Sequence, residues 1–260
     1  MTVFDSHFHL LSMLEHGEEP VLPPSIIGIE CATVPDDAEK RIRLVGDNRD
    51  VYLSMGAGPW CTSSTYPMSV DEAIKALERE IALYGADAIG ECGFDFHWKD
   101  YGPKEEQEKL FLLQAGIAAE LDVPLIIHSR EADEVLLEHL DSINGKTIMH
   151  CFSSGPDTML PLLERGAYIS FAGNVTFRNS RTIQEAAKLC PIERLLYETD
   201  SPYLTPVPLR GQPNRMENTE HTLTFLSSLR GEDRAYIKDN AIRNLRSLMK
   251  NGVSVVRREI

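Results

Sequence analysis

Eight short runs of β-type residues alternate with helical patterns along this chain, and the alternation constrains the fold more than any other feature. Most of the runs are apolar at consecutive positions, as expected of parallel strands that are covered on both faces. Eight such strands, joined by helices, predict the α/β class and a single-domain (β/α)8 TIM barrel over residues 1–260. The predicted strands cover residues 2–9, 25–33, 50–57, 87–95, 123–130, 146–153, 167–173 and 194–200.

The segments between these runs have apolar residues three and four positions apart, which is typical of helices packed on one side. Ser69 and Glu72 have the spacing of a capping box at a helix start. Residues 11–25 are short and rich in proline, so we expect no regular helix between the first two strands. In the helix predicted over residues 105–122, we expect the buried stripe to comprise Leu110, Leu113, Ile117 and Leu121.

The composition narrows the possible partners. The net charge of −14 argues against a broad surface for DNA or membranes, but it leaves room for a local site that binds a phosphate-bearing strand end. No basic region precedes an apolar run at the start of the sequence, and no apolar stretch has the length of a membrane span. We therefore expect a cytoplasmic protein that needs no obligate protein partner. The five scattered cysteines are expected to be reduced thiols: Cys31, Cys61, Cys92, Cys151 and Cys190.

Polar residues lie at the ends of several predicted strands. His7 and His9 are two positions apart on the first strand, so their side chains share a face. Right-handed crossovers bring the carboxyl ends of all strands to one mouth of the barrel, where we expect these residues to meet. The residues concerned are His7, His9, Glu91, His128, His150 and Asp200.

Each of these residues has a structural explanation when taken alone. His128 is an ordinary strand-end histidine, Glu91 fits a buried salt bridge, and Asp200 before Ser-Pro fits a turn. Together, four imidazoles and two carboxylates at one rim are hard to explain without metal, because unpaired buried carboxylates are costly. Nitrogen and oxygen ligands of this kind suit divalent ions such as Zn, Mn, Mg, Fe, Co or Ni.

These residues also lie within longer motifs: DSHFHL, AIGECGFDF, VPLIIHSREA, TIMHCFS, AYISFAGNVTF, IERLLYETDSPYLTP and DNAIRNL. In combination the motifs resemble those of the TatD family of metal-dependent hydrolases and deoxyribonucleases, within the amidohydrolase-like barrels. The resemblance implies two divalent ions per chain. One is held by His7, His9, Glu91 and Asp200, and the other by Glu91, His128 and His150, so that Glu91 bridges the pair.

The resemblance also implies hydrolysis of phosphodiester bonds from a DNA strand end, by a water that the two ions activate. The catalytic residues are then Glu91 and Asp200, the latter as the general base. Arg130 follows His128 at the mouth and suits bidentate phosphate binding, with a structural salt bridge as the alternative. Asn174 and Arg178, after the seventh strand, are further candidates for substrate binding.

One segment departs from the family pattern. After the third strand the family has a Gly-x-His-Pro stretch, whereas this chain has MGAGPWCTS with Trp60 and no histidine. Trp60 has two interpretations, stacking on a base or packing at the barrel mouth. The departure leaves two alternatives to a nuclease: a metal hydrolase of a small ester, lactone or amide, and a non-catalytic metal-binding barrel.

Overall fold

The computed structural model describes residues 2–142, 146–249 and 253–254. Eight strands form one sheet in the order of the sequence, and every pairing described within this sheet is parallel. The predicted (β/α)8 TIM barrel is therefore confirmed. The strands are β1 Val3–Phe8, β2 Ile26–Glu30, β3 Val51–Met55, β4 Ala88–Asp95, β5 Leu125–Arg130, β6 Thr147–Met149, β7 Tyr168–Phe171 and β8 Leu195–Tyr197. A separate pair of short strands, Gly85–Ala86 and Val253–Ser254, is antiparallel.

Helices occupy the segments between the strands and after the last one. They are α1 Leu10–Glu15, α2 Ala38–Val45, α3 Val70–Tyr84, α4 Lys104–Leu121, α5 Asp133–Glu138, α6 Pro156–Glu164, α7 Arg181–Leu189, α8 Thr219–Arg230 and α9 Arg234–Leu248. The capping box at Ser69 and Glu72 is present at the start of α3. The expectation that residues 11–25 hold no regular helix is wrong, because α1 forms immediately after β1 and stops before the prolines. No helix among the described residues is both long and apolar enough to cross a membrane.

The chain divides into two compact units. The first comprises Met1–Glu30 and Met149–Ser247, and the second comprises Cys31–Ile148 and Leu248–Ile260. Within the first unit, β1 contacts both β2 and the segment after β8: the Asp200 N–H donates to the carbonyl of His7 at 3.0 Å, and the His9 N–H donates to that of Ser201 at 3.0 Å. The last segment of the barrel is therefore joined to the first strand by backbone hydrogen bonds.

In the second unit, α4 packs on β4 through a face that differs from the predicted stripe. Leu113 is 40% exposed and Leu121 is 38% exposed, whereas Gln114 is fully buried. The Gln114 side chain accepts a hydrogen bond from the N–H of Ala57 at 2.9 Å and donates one to its carbonyl at 2.9 Å. Because the oxygen and the nitrogen of the Gln114 amide are both hydrogen-bonded, burying this side chain costs little free energy. The face of α4 that packs on β4 is therefore rotated away from the predicted apolar stripe.

Candidate metal centre

Two buried histidines mark the carboxyl end of β1. His7 lies on the strand and His9 directly follows it. As whole residues, they are 0% and 3% exposed. Their Nε2 atoms face each other at 3.1 Å, and the two rings meet edge to face. The shared face predicted from their two-residue spacing is therefore present, and both imidazoles aim a ring nitrogen into the same space.

His150 and Asp200 join this pair in the first unit. His150 directly follows β6, and its ring stacks on that of His7 with centroids 4.0 Å apart. Asp200 lies three residues beyond β8, and its Oδ1 is 3.3 Å from Nε2 of His9 and 3.8 Å from Nε2 of His7. One ligand atom each from His7, His150 and Asp200 lie within 4.8 Å of one another. Four of the six predicted ligands thus lie together.

The backbone holds Asp200 in an unusual conformation. Its φ of 56° lies in the left-handed region, which aspartate tolerates better than most residues, and its N–H is bonded to β1. Burial raises the pKa of this carboxyl, but the hydrogen bond from His9 and the nearby imidazoles of His150, His9 and His7 outweigh burial and leave the pKa below its usual value. Asp200 is therefore a carboxylate at neutral pH.

Two further buried carboxyl groups support the cluster. Glu198 Oε1 lies 3.4 Å from Nδ1 of His150 and accepts the N–H of Cys151 at 2.7 Å. The Asp5 carboxyl group accepts hydrogen bonds from the N–H of Thr199 at 2.9 Å and from the Thr199 hydroxyl at 2.5 Å. Burial raises the pKa of Asp5 well above the usual value. Groups of this kind fix the orientation of histidine ligands and of the segments that carry them.

The other two predicted ligands lie together in the second unit. Glu91 is 2% exposed on β4, and its Oε2 lies 3.4 Å from Nδ1 of His128 on β5. The Nε2 atom of His128 lies 3.1 Å from Oδ2 of Asp95, which is also buried. His128 therefore lies between two carboxylates, each at a different ring nitrogen.

The structure also places the three candidate substrate-binding residues. Arg130 ends β5, is exposed, and forms no salt bridge with any other described residue. Asn174 is buried, and its Oδ1 has no hydrogen-bond partner among the described residues. Arg178 is exposed. Trp60 packs partly buried against a core cluster in the second unit and donates its indole N–H to the carbonyl of Thr33 at 2.8 Å.

Sequence reasoning missed Asp95, Glu198 and Asp5. For two of them the sequence held a usable signal, since Asp95 lies four positions after Glu91 on the same face of a strand, and Asp5 lies two positions before His7. Glu198 precedes Asp200 by two positions but lies beyond the end of β8, so strand alternation does not place it.

The donor set fits a divalent cation. In the first unit it offers imidazole nitrogens and a carboxylate oxygen that face one another while almost fully buried. Buried charges and facing ring nitrogens are stabilised by a cation between them, and these are ligand types that Zn and related ions prefer.

Comparisons with known proteins point to one family. The family model described as TatD related DNase matches residues 4–250. An uncharacterised metal-dependent hydrolase of Escherichia coli, YcfH, is 36% identical over 195 residues, which cover 72% of this chain and 69% of that protein. A protein of Shigella flexneri named 3'-5' ssDNA/RNA exonuclease TatD is 36% identical over 202 residues, which cover 73% of this chain and 77% of that one.

A solved structure matches the fold over nearly the whole chain. The crystal structure of YJJV, a TatD homologue from Escherichia coli, aligns with a TM-score of 0.79 at 24% identity and covers 95% of this chain and 97% of that one. At this identity the likeness supports the barrel fold alone.

Proposed function

The chain belongs to the TatD-related DNase family and is a metal-dependent hydrolase that acts on ester bonds, and we propose that it cleaves phosphodiester bonds from the end of a DNA strand. The observation that carries the proposal is the buried cluster of His7, His9, His150 and Asp200, in a chain that matches the family along most of its length. The nuclease name of the Shigella flexneri relative supports the choice of a nucleic acid.

We propose that the chain holds two divalent ions. One divalent ion would be held by His7, His9, Glu91 and Asp200, and a second by Glu91, His128 and His150. In support, His7, His9, His128, His150 and Asp200 lie near or just after the carboxyl ends of barrel strands, where active sites of this fold are found, and Glu91 lies within β4. When bound, two such ions supply a Lewis acid for a phosphoryl oxygen and lower the pKa of water.

The remaining chemistry belongs to residues of the chain. Asp200 would act as the general base and take the proton of the attacking water at a carboxylate oxygen, which its lowered pKa keeps ionised. Glu198 would hold the His150 ring in one orientation through its contact with Nδ1. Asp5 and Thr199 would keep the segment that carries Asp200 against β1.

Substrate contacts are proposed for three residues. Arg130 is exposed at a strand end without a carboxylate partner among the described residues, so its guanidinium is available to bind a phosphate. The buried Oδ1 of Asn174 would accept a hydrogen bond from the substrate, which would satisfy an acceptor that is costly to leave unpaired. Arg178, exposed after β7, would contact the backbone of the nucleic acid.

The test compares linear and circular single-stranded DNA of one sequence in the presence of divalent metal. We expect the linear strand to be shortened from an end and the circle to remain intact. Asp200→Asn and Glu91→Ala should each lower the rate by at least about 100-fold, since each removes a proposed ligand. Asp239→Asn, which changes an exposed carboxylate on α9, is the matched control and should keep the wild-type rate.

Three outcomes contradict the proposal. Degradation of the circle would exclude an end-dependent reaction. Equal rates for the wild type and both site variants would assign the activity to a contaminant. Turnover of small esters, lactones or amides without turnover of DNA would show that the protein is the alternative metal hydrolase and not a nuclease. We also propose that the protein is located in the cytoplasm.

A further inference from the structure

A tryptophan that follows β4, near Asp95 and His128, is unusually open to solvent. Trp98 lies in the segment after β4 and is 48% exposed. Tryptophan is on average a highly buried residue, and this one contributes its large apolar ring to the surface instead of to the core. The exposed indole therefore needs an explanation that core packing does not supply.

The indole is nevertheless held by its neighbours. The Arg130 guanidinium carbon lies over the Trp98 ring at 5.7 Å from its centroid. His97 meets the ring edge to face at 4.9 Å, and Tyr101 lies beside it at 6.3 Å. A cation and two rings thus order an aromatic surface that remains half open, which lowers the entropy cost of binding a flat ligand.

Further rings connect Trp98 to the proposed metal ligand His128. Tyr101 contacts Trp60 with centroids 5.9 Å apart, and Trp60 contacts His128 at 5.5 Å. Trp60 is fixed by its hydrogen bond to Thr33 and is only partly exposed, so Trp98 is the open outer end of this row. A ligand on Trp98 would therefore lie a few ring widths from His128.

The charge of the chain makes such a local contact important. With a net charge of −14, the protein has no general attraction for a polyanion, so affinity for nucleic acid has to come from a few specific contacts. Stacking of bases on aromatic side chains is one such contact and tolerates any sequence. It favours an unpaired base, because both faces of a base inside a duplex are already stacked on its neighbours.

We propose that Trp98 determines substrate preference by stacking an unpaired nucleobase while Arg130 binds the phosphate of the same nucleotide, a role that rests on the proposed function. The geometry supplies one aromatic face and one cation without a carboxylate partner among the described residues, held 5.7 Å apart. The preferred substrate is then a single strand, or the frayed end of a duplex.

The test measures KM and kcat on linear single-stranded oligonucleotides. Trp98→Ala should raise KM about 10-fold with a much smaller change in kcat, since stacking contributes to binding and not to the chemical step. Trp98→Phe should restore most of the affinity, because it keeps an aromatic face. Tyr236→Ala, which removes a side chain 50% exposed on α9, is the matched control and should leave both parameters at the wild-type values.

Oligonucleotides with one abasic residue locate the contact. When the abasic residue is moved along the strand, we expect one position at which the wild type loses about 10-fold in affinity while Trp98→Ala loses nothing further. Arg130→Gln should weaken binding of normal and abasic strands alike, as expected of a phosphate contact. An abasic profile of Trp98→Ala identical to that of the wild type would overturn the proposal.

Binding measured by fluorescence anisotropy separates this proposal from the proposed function. If oligonucleotides bind with an affinity that depends on Trp98 but are not cleaved, the nuclease function fails and the stacking role stands. If they are cleaved with no dependence on Trp98, the function stands and the stacking role fails. If they neither bind nor react, both are refuted.

Discussion

The hydroxyl of Thr199 offers a sharp test of how the segment carrying Asp200 is held. Thr199 is fully buried, its hydroxyl donates to Oδ2 of Asp5 at 2.5 Å, and it accepts the N–H of Ser201 at 3.0 Å. Valine has nearly the same shape and lacks both interactions. Thr199→Val therefore removes two buried hydrogen bonds without creating a cavity.

The expected cost follows from these two bonds. Each net bond is worth about 1 kcal/mol, and leaving a buried donor or acceptor unpaired costs about 1–3 kcal/mol. We expect Thr199→Val to lower the free energy of unfolding by about 2–4 kcal/mol, a large part of the ~5–15 kcal/mol typical of a folded domain. Urea denaturation followed by circular dichroism, with a chelator present to exclude metal binding, measures this change as a shift of the midpoint.

Thr222→Val is the matched control. Thr222 is also fully buried, but its hydroxyl has no hydrogen-bond partner among the described residues. The same substitution there removes an unsatisfied polar atom, so stability should stay within about 0.5 kcal/mol of the wild type or increase. If both variants lose the same stability, the buried hydrogen bonds of Thr199 are not what holds this segment, and the reasoning is refuted.

Three further predictions concern thiols and glycines. Cys151 is the one partly exposed cysteine among five, so Ellman's reagent should label one thiol rapidly in the folded protein and the rest only in denaturant, and Cys151→Ser should remove the rapid phase. Burial raises the pKa of the Cys61 thiol from 9.0 to about 12. The stability that the neutral thiol contributes is therefore complete below pH 9 and is lost as the pH rises towards 12. The urea midpoint should fall over that interval, and it should fall less in Cys61→Ala. A Cβ at Gly173 would lie 2.0 Å from the carbonyl oxygen of Leu204, so Gly173→Ala should destabilise the protein by about 1–3 kcal/mol, whereas Gly116→Ala, on a helix surface with open space, should stabilise it by about 0.5–1 kcal/mol in the same assay.

The sequence predicted the eight strands well because their signal is local. A parallel strand covered on both faces reads as a short apolar run, and the signal needs no knowledge of the partner strands. The pairing of His7 and His9 is equally local, since alternation alone puts residues two apart on one face. The order of the elements then limits the topology to a barrel, which the strand order confirms.

The face that α4 buries could not be found in this way. Its apolar residues predicted a stripe through Leu113, but that side chain is 40% exposed and Gln114 is buried beside it. The reason is the backbone of Ala57, which lies 57 residues away and bonds both ends of the Gln114 amide. Hydrophobic periodicity carries no information on such partners.

The carboxyl groups that contact the histidines show the same difference between local pattern and tertiary contact. The sequence by itself determined the barrel, the shared face of His7 and His9 and the positions of the other polar residues on or after the strands, because hydrophobic period and the order of the elements are properties of the chain. Only the tertiary structure decided that Glu198 meets His150 and that Asp95 meets His128, at 3.4 Å and 3.1 Å. Such contacts depend on how neighbouring segments end and turn, and distances of this size are set by packing, which no local pattern encodes.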